Sequence, residues 1–289
     1  MVGGIFYEHS HRMVATGVGI LTVILCVWIW RTDQRRWMRY LGVAALGAVV
    51  IQGALGGLTV LTLLPPAISS SHATLAQTFF CIVCAIGLFT SKWWFSVELI
   101  AKDNLKVPSV ILCVIICCMI YCQLILGAIM RHTDSGLSVP SFPLAYGQVL
   151  PSLSEESMEI YNKQLIHDDL RLAADGPIIP SQIVIHLLHR YWGIVTSVVV
   201  LALAVRLRRI GVVLARQLSS VLTLLVVIQV NLGVLTVLTH KSVAITTAHV
   251  VTGALVLLFS VLSTLVVARL RRDYLVEPLV VMQGHGKFA

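Results

Sequence analysis

The chain is organised as seven long apolar runs separated by short polar segments. The runs occupy approximately residues 13–30, 40–64, 72–90, 108–130, 182–205, 218–238 and 244–267. Each run is long enough for an α-helix that crosses the hydrocarbon core of a bilayer, which takes about 20 residues. A helix satisfies its own backbone hydrogen bonds in lipid, and the alternating strands of a membrane barrel are absent from the sequence. The pattern therefore predicts an all-α, polytopic transmembrane helical bundle with seven spans.

Composition excludes the soluble and the disordered classes of protein. The 289 residues are 57% hydrophobic and 12% charged, with a mean hydropathy of +0.91. Soluble domains average about 45–50% apolar and about 25% charged residues. The seven cysteines all lie within the apolar runs. We expect them to behave as small buried hydrophobes, with no disulfide framework and no cysteine metal site.

The net charge of +8 is a topology signal. Most basic residues cluster after the first, third, fifth and seventh runs, which the positive-inside bias places on the cytoplasmic or matrix side. No basic helix interleaved with aromatic residues is present, so we predict no nucleic-acid partner and expect membrane lipid instead. The same pattern predicts that the first run begins on the outer side of the membrane.

An internal repeat relates the two parts of the chain. Residues 52–72 match residues 229–249 at 11 of 21 positions, including an intact Leu-Thr-Val-Leu-Thr. Runs one to three thereby correspond to runs five to seven, which predicts two halves related by a pseudo-two-fold axis along the membrane normal. We expect one half-bundle over residues 1–107 and another over 108–289, the latter with an outer loop at 132–180.

The fourth run has no counterpart in the first half. The repeat therefore predicts a four-plus-four architecture whose first helix is missing, with the equivalent of that helix upstream of Met1. The alternative is a seven-span protein whose N-terminus reaches the outer side unassisted.

Four histidines occupy repeat-related positions at the outer start of their helices: His11, His72, His189 and His249. Helical bundles hold cofactors between facing helices, and imidazole is a common axial ligand of haem iron. We predict two bis-histidine sites, one pairing His11 with His72 and the other pairing His189 with His249. Zinc is the competing metal, but it prefers four ligands and no cysteine or acidic residue recurs with these pairs. The spacing favours haem.

The residue three positions before the first histidine of each half differs between the halves. Glu8 precedes His11, whereas His186 precedes His189. A carboxylate one helical turn from an axial ligand lies on the same face and can accept or relay protons. This favours chemistry in the first half and a permanent cofactor in the second, although Glu8 is alternatively a solvated residue near a helix start.

Two arginines directly follow these histidines. Arg12 and Arg190 either pair with haem propionates, which suit the planar guanidinium, or anchor their helices at the interface.

The outer loop contains an amphipathic segment. Residues 157–172 carry apolar side chains at near-helical spacing, which predicts a helix on the membrane surface and, as a hypothesis, a lid over the second site. No acidic or basic residue lies near the middle of any run, which argues against a transporter.

Three motifs, together with the helix-opening histidines at 72 and 249, resemble haem A synthase over nearly the whole chain. They are E-H-S-H-R at 8–12, H-L-L-H-R at 186–190 and T-D-S-G-L-S-V-P-S-F-P-L at 133–144. The resemblance implies an eight-span enzyme of the bacterial plasma membrane or, as the less favoured location, the mitochondrial inner membrane. Such enzymes are oxidoreductases that convert the C8 methyl group of haem O to the formyl group of haem A.

The resemblance also implies roles for individual residues. His11 and His72 would ligate the iron of the substrate haem, and Glu8 would be the catalytic carboxylate. His189 and His249 would ligate the iron of a retained haem b. The implied partners are haem O, haem O synthase, an unidentified electron donor and the assembly of terminal oxidases, and a homo-oligomer is compatible with the sequence.

Two other functions remain open at this point. A non-catalytic di-haem b electron-transfer protein would need the same four histidines but not Glu8. A cofactor-free transporter or scaffold is disfavoured by the paired histidines.

Overall fold

The computed structural model describes residues 2–61, 66–96, 110–170 and 176–284. The nine α-helices of this part of the chain are α1 (Val2–Thr32), α2 (Arg36–Leu61), α3 (Pro66–Thr90), α4 (Lys92–Ser96), α5 (Val110–His132), α6 (Glu155–His167), α7 (Pro180–Arg208), α8 (Val213–Leu238) and α9 (Val243–Gly284). All except α4 and α6 are long and apolar enough to cross a membrane, which gives seven candidate spans. The predicted all-α, polytopic bundle is confirmed, and the chain is a multi-pass membrane protein.

The helices extend beyond the apolar runs that predicted them. The first run covers 13–30, but α1 already includes Glu8 and His11. Hydropathy marks the part of a helix that lies in hydrocarbon, whereas backbone hydrogen bonding continues into the polar interface. The candidate chemical residues at the start of α1 are therefore helical.

The first compact unit, Met1–Val97, contains α1 to α4. In this unit α1 packs against α2, and α2 packs against α3. The guanidinium of Arg35 pairs with Asp33 at 2.5 Å and donates a hydrogen bond to the carbonyl oxygen of Phe89 at 3.1 Å. These contacts tie the α1–α2 turn to the end of α3.

The second compact unit, Glu98–Ala289, contains four membrane-spanning helices and the outer loop. Its helices pack in a closed circuit, α5 on α7, α7 on α8, α8 on α9 and α9 on α5. A closed circuit of four helices has an interior onto which side chains of all four project. The predicted boundary between half-bundles at residues 107 and 108 stays a prediction.

The outer loop folds onto the start of α7 and contains α6. The helix predicted at 157–172 is present as Glu155–His167. Its apolar side chains Met158, Tyr161 and Leu165 are buried in the loop cluster. This cluster comprises Val139, Ala145, Met158, Tyr161, Leu165, Ile178, Ile183 and Leu187. The expectation that the apolar face lies on the membrane surface is corrected, because the protein itself covers that face.

Candidate functional site

Two predicted ligands come together in the second unit. His189 on α7 and His249 on α9 have ring centroids 6.4 Å apart, and their ring planes are inclined at 71°. Both side chains are partly buried. This is the pair that the repeat pattern predicts for the second half.

The ring of His189 is held by two residues of α5. The Nε2 atom of Gln123 donates to the backbone carbonyl oxygen of His189 at 3.0 Å and lies 3.2 Å from its Nδ1. On the glycine side, a Cβ added to Gly127 would lie 3.0 Å from Cε1 of the same ring. The imidazole is therefore seated directly against the backbone of Gly127.

The ring of His249 has a similar neighbour pair, supplied by α8, with one amide contact to the ring. The Nε2 atoms of Gln229 and His249 are 3.5 Å apart. A Cβ on Gly233 would lie 3.1 Å from Cε1 of the ring. We call this arrangement a Gln–Gly cradle: a glutamine amide and a glycine four residues later, both in contact with one histidine.

The residues of this pair fit a haem with two axial imidazoles. Metal–nitrogen bonds of about 2 Å on each side, together with the ring radii, fill a separation of this size. The Nδ1 atom of His249 is buried without a hydrogen-bond partner, so one ring nitrogen faces the amide while the other is unpaired. Zinc is not supported, because the described residues contain no group of three or more His, Cys, Asp or Glu side chains that could hold a metal ion.

A third cradle occurs in the first unit. The Nε2 atom of Gln52 donates to the carbonyl oxygen of His72 at 2.9 Å and lies 3.4 Å from its ring Nε2. A Cβ on Gly56 would lie 3.1 Å from Cε1 of the ring. The Nδ1 atom of His72 is also buried and unpaired. His72 thus has the surroundings of His249, at the matching position of the sequence repeat.

His11 differs from the other three histidines. It lies on α1 with an exposed side chain. Among the described residues, no glutamine and glycine form a cradle around the ring of His11, and this ring makes no direct contact with the ring of His72. The predicted pairing of His11 with His72 stays a prediction.

Glu8 lies on α1 one turn before Arg12. The Nη2 atom of Arg12 donates to Oε1 of Glu8 at 2.6 Å, and both side chains are about half exposed. In this structure the guanidinium of Arg12 is thus paired with the candidate catalytic carboxylate. Among the described residues, the contact of this carboxylate is through Oε1 to Arg12.

The matching pair in the second unit fastens the outer loop. His186 is buried, and its Nδ1 donates to the carbonyl oxygen of Ser135 at 3.0 Å. Its Nε2 accepts from Arg190 at 3.1 Å, and Arg190 also donates to the carbonyl oxygens of Ser141 at 3.1 Å and Val139 at 3.4 Å. His186 and Arg190 therefore hold the loop on α7, and a propionate role for Arg190 stays a prediction.

The cradles are the part of the site that the histidine pattern misses. Their signal is visible in the sequence as Gln-x-x-x-Gly at 52–56, 123–127 and 229–233. Two of these segments open the repeated region, and the third lies on α5, which has no repeat partner. This pattern was not singled out because glutamine is not a usual metal ligand and because glycine is common in membrane helices.

Comparison with known proteins places the chain among membrane proteins of haem metabolism. A family model described as cytochrome oxidase assembly protein, COX15-CtaA, matches residues 3–261. The chain is 27% identical over 259 residues to a protein of Rhizorhabdus wittichii named heme A synthase, covering 87% of this chain and 68% of that protein. Proteins of the same name from Orientia tsutsugamushi and Shewanella oneidensis are each 25% identical, covering 87% of this chain and 71% and 73% of theirs.

Proposed function

Because the chain belongs to the COX15-CtaA family of cytochrome oxidase assembly proteins, we propose that it is a haem A synthase, the name that its bacterial relatives carry. The reaction we assign is the oxidation of the C8 methyl group of haem O to a formyl group, which makes the protein an oxidoreductase. The observation that carries the proposal is the cradled pair of His189 and His249, 6.4 Å apart. At the position that matches His186, the first unit has a carboxylate, Glu8.

The two half-bundles, residues 1–107 and 108–289, take different haems. His11 and His72 hold the iron of the substrate haem O, and His189 and His249 hold a haem b. Bound haem b supplies one-electron transfer, because its iron cycles between two oxidation states. The residues of the second unit then have only to bind it, orient it and keep its ligands in place.

Glu8 is the catalytic carboxylate of the proposal. Conversion of a methyl to a formyl group breaks two C–H bonds and forms one C=O bond. With dioxygen as the oxygen source and the electron donor as reductant, it balances as R–CH3 + 2 O2 + 4 e⁻ + 4 H⁺ → R–CHO + 3 H2O, so a group that accepts and relays protons is needed beside the substrate. Arg12 holds Oε1 of Glu8, which leaves Oε2 to accept a proton. The second unit cannot perform this step at the matching position, because both nitrogens of His186 are engaged in hydrogen bonds.

The surroundings of the reaction follow from the same assignment. The bacterial relatives favour the plasma membrane as the location, with the outer loop on the side away from the cytoplasm. Haem O synthase is the expected source of the substrate and terminal oxidases are the destination of the product, with an electron donor still to be identified.

The proposal is tested by replacing Glu8 with alanine. We expect Glu8→Ala to abolish conversion of haem O to haem A while the protein retains its haem b, measured by pyridine haemochrome spectra and chromatography of extracted haems. Glu159 of α6 provides a matched control, since it forms an exposed i,i+4 ion pair with Lys163 at 2.7 Å. Glu159→Ala should leave conversion unchanged.

Two outcomes would contradict the proposal. If Glu8→Ala still converts haem O, Glu8 is not the catalytic carboxylate. A wild-type protein that carries two b-type haems but converts no haem O would favour the electron-transfer alternative.

A further inference from the structure

We propose that Gln52, Gln123 and Gln229 are positioning residues, each of which fixes the ring plane of the haem-ligating histidine that it contacts. The inference rests on the proposed function, since it takes those histidines as axial ligands. None of the three glutamines is proposed to touch the iron. Their part is to orient a ligand, and the glycine of each cradle supplies the surface against which the ring rests.

In two of the three cradles, the hydrogen bonds of the amide engage both the backbone and the ring of the histidine, and in the third Gln229 contacts the ring of His249 at 3.5 Å. Gln123 binds both the backbone carbonyl oxygen of His189, at 3.0 Å, and the ring, at 3.2 Å from Nδ1 and 3.3 Å from Nε2. Gln52 treats His72 in the same way, at 2.9 Å from the carbonyl oxygen and 3.4 Å from Nε2. Because backbone and ring are held by one amide, rotation of the ring about its side-chain bonds separates it from its partner.

The glycine of each cradle lies against the Cε1 atom of the ring. A methyl group at Gly56, Gly127 or Gly233 would lie 3.0–3.1 Å from the Cε1 atom of the histidine concerned. Carbon atoms in ordinary contact are about 3.5–4.0 Å apart. Each ring therefore occupies the volume that the side chain of a larger residue at the glycine position would fill, and the helix backbone limits the rotation of the ring on that side.

Unsatisfied polar atoms indicate that the cradles serve a ligand. The Oε1 atoms of all three glutamines are buried without a hydrogen-bond partner, as are the Nδ1 atoms of His72 and His249. Leaving a buried polar atom unpaired costs about 1–3 kcal/mol. An apolar side chain of similar size would pack without that cost, so a role in packing alone does not account for glutamine at three equivalent places.

The ring planes have a spectroscopic consequence. His189 and His249 are inclined at 71°, and each is held by a glutamine from a different helix. The anisotropy of the EPR signal of a low-spin ferric haem with two axial imidazoles depends on the angle between their planes. Neighbours that orient a ligating imidazole also influence its bond to the metal, typically by about 10- to 100-fold in affinity.

The first experiment compares two amides of α8. Gln229→Leu should shift the EPR signal of the retained haem b and speed its loss to apomyoglobin by about 10- to 100-fold. Asn231→Leu is the matched control, because Asn231 is exposed and its amide donates only to the carbonyl oxygen of Val227 on its own helix. It should leave both readouts unchanged. Wild-type spectra and retention in Gln229→Leu would overturn the proposal.

A second pair of variants avoids dependence on the folding of Gln229→Leu. Gly56→Ala places a methyl 3.1 Å from the ring of His72, whereas a methyl at the adjacent Gly57 meets nothing within 4 Å. We expect Gly56→Ala to weaken binding of added haem O by at least tenfold in optical titrations of the holoprotein, and Gly57→Ala to leave it unchanged. Equal affinities in the two variants would contradict the cradle.

The outcomes separate this inference from the proposed function. A protein that converts haem O while its glutamine and glycine variants keep wild-type spectra and affinities would retain the function and lose the cradles. A protein that shows the expected shifts but converts no haem O would retain the cradles and lose the function.

Discussion

The two compact units surround their histidines differently. In the second unit both ligands of the proposed pair lie in cradles, and each is followed four residues later by a glycine, Gly193 or Gly253. A Cβ on these glycines would lie 2.9 Å from Nε2 of Gln123 and 3.1 Å from Nε2 of Gln229 respectively. In each cradle of the second unit, one glycine therefore lies against the imidazole and a glycine of the facing helix lies against the amide.

In the first unit the enclosure is incomplete. The positions four residues after the histidines are Ala15 and Ala76, only His72 has a cradle, and His11 is exposed. A preorganised site favours tight retention, because little ordering is needed when the ligand binds. This difference supports our proposal that the second unit retains a cofactor and that the first unit binds and releases its haem.

The largest effect on haem binding is expected from replacing the histidines themselves. His249→Ala removes one of two ligands from the second unit and should eliminate its haem b, because the remaining imidazole alone is left to bind the iron. His11→Ala should leave that haem in place and abolish only the binding of added haem O. Haem content of the purified proteins and optical titration distinguish the two.

His240→Ala is a suitable control, since His240 is exposed in the α8–α9 turn and not repeat-related. Loss of haem b in His11→Ala would break the assignment of the two haems to separate units.

Smaller effects, on proteolysis of the outer loop and on the rate of haem O conversion, are expected from replacing the arginines that follow the first histidine of each unit. Arg190→Met removes the donor to three carbonyl oxygens of the outer loop and to His186. A charged hydrogen bond contributes about 1.5–3 kcal/mol, so proteolysis within residues 139–146 should become at least several-fold faster. The matched variant Arg12→Met should leave the loop protected and slow haem O conversion through Glu8.

If Arg190→Met instead shifts the reduction potential of haem b and leaves the loop intact, the guanidinium serves a propionate. That result would mean that Arg190 acts at its haem, as Arg12 is proposed to act at the haem of the first unit, and does not serve to hold the outer loop.

The smallest effect is expected on the pH dependence of thermal stability, from the α1–α2 turn of the first unit. The hydrogen bond from Arg35 holds the pKa of Asp33 below its usual value of 3.8. A carboxyl group whose pKa is lowered by folding stabilises the folded state above the unfolded pKa, and that contribution is lost as the pH falls through the folded value. Thermal stability should therefore decline below about pH 3.8.

Asp33→Asn should remove this part of the pH dependence and leave haem b in the second unit. The measurement is the thermal midpoint of the first unit between pH 3 and pH 7. An unchanged acid profile in the variant would mean that the turn contributes nothing to the pH dependence.

Hydropathy was sufficient to predict the membrane fold, and the sequence repeat was sufficient to predict that His189 and His249 lie close together. The seven spans follow from apolar length, because lipid admits few alternatives to a helix. The proximity of His189 and His249 follows from repeat-related positions at one membrane depth. The pairing of Arg12 with Glu8 was not predicted, although their i,i+4 spacing on a helix permits it.

Other contacts have no signature in the sequence. The loop contacts of Arg190 are to backbone carbonyl oxygens, which every residue carries, so residue types do not disclose them. The burial of α6 depends on the path of the loop, since an amphipathic helix covers its apolar face equally well with lipid or with protein. The cradles are an intermediate case. Their Gln-x-x-x-Gly pattern is present in the sequence, but its meaning is recognised only from the contact between glycine and the histidine ring in the structure.

The cradle is also a compact rule for protein design. Two antiparallel helices suffice, one carrying Gln-x-x-x-Gly and the other carrying His-x-x-x-Gly, as α8 and α9 do. Four residue identities then specify the place and the tilt of one imidazole without a loop, a charge or a second ligand. A synthetic membrane bundle with two such helix pairs would have a defined angle between its axial ligands, and that angle would be set by the choice of helices rather than by the cofactor.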